Sequence, residues 1–319
     1  MKKSTNFIKN NYKALIVGFI TALIISGTTT YATILYQASD VNYDNSVSGL
    51  SAANVKDAID ELHQRNSCPI PIDFKTSSWD DIIDAYNHGN IEPLQEAMEE
   101  GTTRNINLGG EFGVHQLRIA NLSTPSECSG SGFSQTACGF VIEFANLITS
   151  QRMNPYDQNG SVAGDGNKGG WPASELRTYL NSTIYNSLPS DLKNKIISTT
   201  VVSGYGSNDS SNFTSTDKLY LLSSHEVWED VDGDASTGID YYDTAYNKTR
   251  QLDYYSSKNI TTSNYSGIIK QKNSSAVSYW LRTSVSTNYH RFFIVYTSGT
   301  WTSDRSDNSY WVLPAFRIG

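Results

Sequence analysis

Apolar side chains recur with helical spacing in three stripes: Val55, Ala58, Ile59 and Leu62; Trp79, Ile82, Ile83 and Tyr86; and Leu176, Tyr179, Leu180 and Ile184. Positions three and four apart share one face of a helix, so each stripe predicts a helix with one side to bury. Asn54 and Ser78 stand where N-caps belong, Gly89 stops the second helix, and Pro172 suits the first turn of the third. Further helices are expected from Leu94 through Ala97 and Met98 to Gly101, over 190–197 and over 245–255. The runs 104–108 and 114–121 flank a Gly-rich turn and predict a hairpin. Other extended runs are 141–144, 218–222, 278–281, 291–296 and 311–318, with Ser223 and Glu226 spaced as a capping box. Helices crowd the first two thirds and strands the end, without strand–helix alternation. That order predicts an α+β domain with short C-terminal strands.

The N-terminus reads differently. Lys2, Lys3, Lys9 and Lys13 precede an uncharged apolar run over 14–26, the charge order of an export leader. Thr30 and Ala32 place small side chains where a signal peptidase reads. The run is short against the ~20 residues of a spanning helix. Extended to Leu35 it would just cross, leaving the lysines cytoplasmic. Residues 1–32 are therefore a signal peptide or a membrane anchor, an apolar helix that places the rest outside the membrane. Residues 33–66 form a stalk whose helix has about three turns, marginal in isolation. Its stripe needs cover, from the chain's own domain or from other copies in a homo-oligomer through residues 54–66. Residues 67–77 read as a linker and 78–319 as one globular domain.

Charge narrows the partners. The 319 residues carry 24 basic and 32 acidic side chains, a net −8. Affinity for nucleic acid comes from Lys and Arg neutralising phosphates, so nucleic acid is not an expected partner. Cys128 and Cys138, in a Gly/Ser-rich segment, suit a small-loop disulfide in an oxidising compartment, or remain two thiols; Cys68 is left over.

Several motifs resemble chemistry without completing it. Gly164, Gly166 and Gly169 satisfy G-x-G-x-x-G before a helix, but turn formers over 154–161 stand where a phosphate loop needs a buried strand. The segment reads as a flexible surface loop. Asp230, Asp232 and Asp234 resemble the opening of a calcium loop, although Ala235 and Tyr241 replace its Gly and bidentate Glu. Calcium is the only cofactor suggested, and a solvated acidic turn is the competing reading. The five histidines lack zinc spacing and no G-x-S-x-G elbow occurs, so no catalytic residue is assigned. A glycosidase needs only two carboxylates at the right separation, which keeps a glycan-active hydrolase as the alternative.

Ten aromatic residues fall within 279–316, in a chain that is 12% aromatic overall. Trp280, Leu281, Phe293, Val295, Val312 and Phe316 read as core. Tyr289, Arg291, Tyr296, Trp301, Arg305, Asn308 and Tyr310 mix rings with adaptable polar groups, the chemistry of a contact surface. They are the candidate ligand-binding residues.

The landmarks GGWPASELRTYLNS, STDKLYLLSSHEVW, YWLRTS and VLPAFRIG resemble, in that order, an uncharacterised domain family of exported proteins from Gram-positive bacteria. The resemblance covers about 78–319. The tail from YWLRTS onward is also similar to C-type-lectin-like domains related to formylglycine-generating enzymes, including variable proteins whose diversified residues sit in such a tail. It implies a C-type-lectin-like frame carrying ligand contacts at its C-terminal end. Those enzymes use a cysteine pair in the C-terminal half, and no Cys follows Cys138, so oxidase activity does not carry over. The segment around YDNSVSGLSAANVKDAIDEL resembles one that precedes distal domains in phage tail-fibre and bacterial surface proteins. Together these imply an extracellular or cell-surface, adhesin-like protein that binds a glycan or protein ligand. A structural fibre component is a further alternative.

Overall fold

The computed structural model describes residues 41–44, 46, 50–67, 71–155, 166–229 and 238–319. The apolar leader, Cys68 and the Asp230, Asp232 and Asp234 turn lie outside the described residues. Among the described residues no helix is long and apolar enough to cross a membrane. The chain divides into two compact units, Met1–Pro69 and Ile70–Gly319.

In the first unit, α1 spans Val55–Ser67. Asn54 caps it, its side-chain oxygen accepting from the Asp57 N–H at 2.8 Å. Glu61 reaches back to the N–H groups of Ser51 and Ala52, at 2.7 and 2.8 Å, and so folds the preceding segment onto the helix. Ala58 then packs on Leu50 and Ala52, with Tyr43 beside them. Ile59 of the predicted stripe stays 60% exposed.

In the second unit, α2 spans Trp79–Asn87 with Ser78 as its cap, and α3 spans Glu92–Glu100 and ends at Gly101. The strands are β1 Arg104–Asn107, β2 Val114–Asn121, β3 Val141–Phe144, β4 Ser150–Arg152 and β5 Thr199–Ser203. Then follow β6 Phe213–Asp217, β7 Tyr220–Leu221, β8 Lys270–Lys272, β9 Ser275–Val277 and β10 Tyr279–Ser284. The last four are β11 Arg291–Val295, β12 Trp301–Arg305, β13 Ser309–Trp311 and β14 Pro314–Arg317. One five-stranded sheet has the order β1-β2-β3-β14-β7, a second the order β12-β11-β10-β13-β4, and β5-β6 and β8-β9 are separate hairpins. Neighbours are antiparallel except β10 and β13, which meet in parallel through Tyr279 and Trp311. The architecture is α+β, as the order of elements predicts. Helices α3 and Asp253–Ser257 pack on β2.

One core runs from Ile72 to Ile318, and all six tail residues expected inside it are buried. Ile72 and Phe74 belong to it too, so the later part of the 67–77 segment is anchored to the domain and is not a free tether. Cys128 and Cys138 are bridged. Three element predictions need correction. The extended run 311–318 splits between the two sheets: Pro314, with no N–H to donate, opens a new strand. The helix expected over 245–255 is a short turn, Tyr246–Lys248, and a later helix, Asp253–Ser257. Between them Thr249 bonds Glu226, and Gln251 bonds the carbonyls of Val227 and Ile260, so tertiary bonds override helical spacing. The helix expected over 190–197 stops at Lys193.

The sequence landmarks form the frame's buried polar ties. The Trp171 indole N–H and the Arg177 guanidinium converge on the two oxygens of Asp217, at 2.8 and 2.6 Å. Arg282 meets both oxygens of the buried Glu226 at 2.5 Å, and Thr136 and Thr249 also donate to that carboxylate. The predicted capping box at Ser223 and Glu226 is present as well. Landmark residues thus bolt helices to strands.

Candidate functional site

The site starts at Asn167, which the sequence places in a Gly-rich surface loop. The described part of that loop is tethered, not flexible: Asn167 is fully buried. Its side-chain amide donates to the carbonyls of Asn288 and Arg291 at 2.9 and 3.0 Å, and its own N–H donates to Tyr289 at 3.0 Å. Asn167 thus ties down the connection between β10 and β11, with further bonds from the Ser207 N–H to the Asn288 carbonyl, the Ser286 N–H to that of Tyr242 and the Ser306 N–H to that of His290.

That connection and the edge strand β12 frame a groove of ≈ 350 Å³, lined by Tyr242, Val285, Thr287, Asn288, Arg291, Phe293, Trp301, Thr302 and Ser303. The register sets its floor: Arg291 pairs with Arg305, Phe293 with Ser303 and Val295 with Trp301. Trp301 stacks on Phe293 at 5.6 Å between ring centres and meets Tyr242 at 6.2 Å. Arg291 donates to the Ser303 carbonyl at 2.8 Å. The lining carries one guanidinium, rings and short neutral polar groups.

Successive side chains of a strand point to opposite faces. Asp304 accordingly joins a second cluster, accepting from the Tyr310 hydroxyl at 2.5 Å and from the Asn308 amide at 2.9 Å. Burial would raise the Asp304 carboxyl, but these donors and the Arg305 N–H hold it below its usual range. Burial first, and then the bond to Asp304, push the Tyr310 phenol up. Tyr310 also packs edge-on against Trp280 at 4.9 Å. Tyr296, 48% exposed, stands near this cluster.

The seven candidate residues therefore separate. Arg291 and Trp301 line the groove, while Tyr296, Asn308 and Tyr310 gather around Asp304. Arg305 is clasped by Asp307 at 3.1 and 3.0 Å. Tyr289 is exposed, and its ring stands edge-on to that of His290 at 4.4 Å. Sequence reasoning missed Tyr242, Asn167 and Asp304; Tyr242, in an aromatic pair with Tyr241, offered the clearest signal. The Asp230, Asp232 and Asp234 proposal falls outside the described residues, and among the described residues no cluster of three or more His, Cys, Asp or Glu is placed to hold a metal.

A family model for a domain of unknown function, DUF6273, matches residues 145–319, just over half of the chain. This protein belongs to the DUF6273 family. No curated protein and no solved structure matches it. The DUF6273 segment contains the groove, the Asp304 cluster and all four sequence landmarks, whereas β1, β2 and β3 precede it.

Proposed function

We propose that this protein is an exported, surface-tethered ligand-binding protein of the adhesin type, with a C-type-lectin-like frame carrying contacts at its C-terminal end. The observation that carries the reading is the groove beside β12: Trp301 and Tyr242 offer rings, and Arg291, Asn288, Thr287 and Ser303 offer hydrogen bonds. Its size falls at the small end of ordinary ligand sites, and mixed rings and short polar groups fit that role. The Lys-led apolar leader and the Cys128–Cys138 bridge support an extracellular setting. Exposed Val41 and Ile59 support self-association through the stalk.

A hydrolase would need a carboxyl with a raised pKa facing a groove. Burial does raise the Asp243 carboxyl, but Ser224, Thr283 and the Ala245 N–H occupy it inside the fold. The groove's lining has no carboxylate. Binding is the better reading.

A glycan-and-protein array probed with the purified chain tests it. Trp301→Ala should weaken the bound ligand by roughly thirtyfold, the effect of losing an aromatic anchor worth about 2 kcal/mol. Tyr310→Ala examines the Asp304 cluster separately. Binding unweakened by either change would remove this face from the site.

A further inference from the structure

Arg291 is the one charged side chain lining the groove. Its Nη1 is pinned to the Ser303 carbonyl at 2.8 Å, which fixes the guanidinium plane. Among the described residues Nε and Nη2, the side-on fork, have no hydrogen bond and no ion pair. The neighbouring charges are matched: Arg305 is clasped by Asp307, and Asp304 accepts from Tyr310, Asn308 and the Arg305 N–H. Arg291 thus presents Nε and Nη2 to an aromatic groove without a direct partner, its charge felt by the Asp304 carboxylate but not bonded to it, in a chain of net charge −8. A planar fork with its outer pair open matches a carboxylate through two parallel N–H···O bonds. Rings beside it suit the face of a sugar, and Thr287, Asn288 and Ser303 suit sugar hydroxyls. A doubly charged phosphate would call for a second free cation, and Arg305 is already occupied.

We propose that the groove binds an acidic sugar, its ring against Trp301 and Tyr242 and its carboxylate on the Nε/Nη2 fork of Arg291. This deepens, and rests on, the ligand-binding reading above. Titration calorimetry of the full chain tests it with oligogalacturonate against its methyl ester, and with sialyllactose against lactose. At least one acid should bind roughly tenfold or more tightly than its uncharged counterpart, the worth of a charge-assisted bond. Arg291→Gln should erase that preference, and Arg291→Lys should restore only part of it, because an ammonium keeps the charge and loses the fork. Equal affinity for acid and uncharged counterpart overturns the proposal, as does a preference that survives Arg291→Gln while both variants melt like the wild type. Tighter binding of a sulfated galactan or a Glu-rich peptide than of either acid also overturns it. Trp301-dependent binding without any acid preference sinks this inference alone; no ligand on any array weakened by Trp301→Ala sinks the function on which it rests.

Discussion

At the residue scale, the placement of the groove rests in part on a fully buried side chain outside its lining. Asn167 gives its amide hydrogens to two carbonyls of the β10–β11 connection while its oxygen lies against Gly206. A Cβ at Gly206 would fall 2.1 Å from that oxygen, so only glycine leaves room for the amide. Asn167→Ala would remove two buried hydrogen bonds, although the Asn288 and Arg291 carbonyls keep bonds from the Ser207 and Val285 N–H groups, so a net loss of about 1 kcal/mol per bond is expected. Urea unfolding should register a loss of that order, and a variant as stable as wild type would show the connection to be held by other means. The site was half legible for this reason. Arg291 and Trp301 stand out as residue types in an aromatic tail, but nothing in spacing ties Asn167 to a connection more than a hundred residues later. Pairing Tyr242 with Trp301 likewise needs the fold, because the two rings come from distant parts of the chain. Asp304, by contrast, sat in the open among the tail's polar residues, and the register sets it opposite Phe292, one position along from the Arg291–Arg305 pair.

At the element scale, periodicity served where burial alone sets structure and failed where polar ties do. α2 and α3 fall where their stripes predict, since each buries one apolar face. The 245–255 helix failed because Thr249 and Gln251 are drawn into tertiary bonds. β12 was not anticipated as a strand because all of its residues are half-buried and mixed in character, as an edge strand allows. The central tie is Arg282 of β10 with Glu226 of the capped turn, both wholly buried. Removing one member of such a pair typically costs about 3–5 kcal/mol, because the other charge is left alone. Burial by itself would raise the Glu226 carboxyl; the Arg282 charge and its hydrogen bonds prevail and hold it below the usual glutamate range. A folded value below the unfolded one gives stability that is whole above about pH 4.3 and is lost as pH falls through the folded value. Glu226→Gln should therefore be less stable at neutral pH and should show a shallower decline on acidification. Parallel acid limbs in urea midpoints for the two proteins would contradict that account.

At the scale of the whole molecule, the two units draw on separate cores. The larger is built from Ile72 to Ile318, whereas among the described residues the smaller buries Leu50, Ala52 and Ala58 with Tyr43 beside them. A helix of about three turns is marginal alone in water, which is why self-association through the stalk is proposed. The larger unit, at about 250 residues, is well within the range of a self-sufficient core. Deleting residues 1–69 should consequently leave its thermal midpoint within ~2–4 °C, the shift about 1 kcal/mol would bring at this size. Any self-association seen by sedimentation of the full chain should vanish with that deletion. A lower, broadened transition after the deletion would mean that the larger core needs the first unit. Persistence of oligomers would move the contact to the Ile70–Gly319 unit, where the edge strand β12 and the groove beside it would then compete with ligand for the same surface.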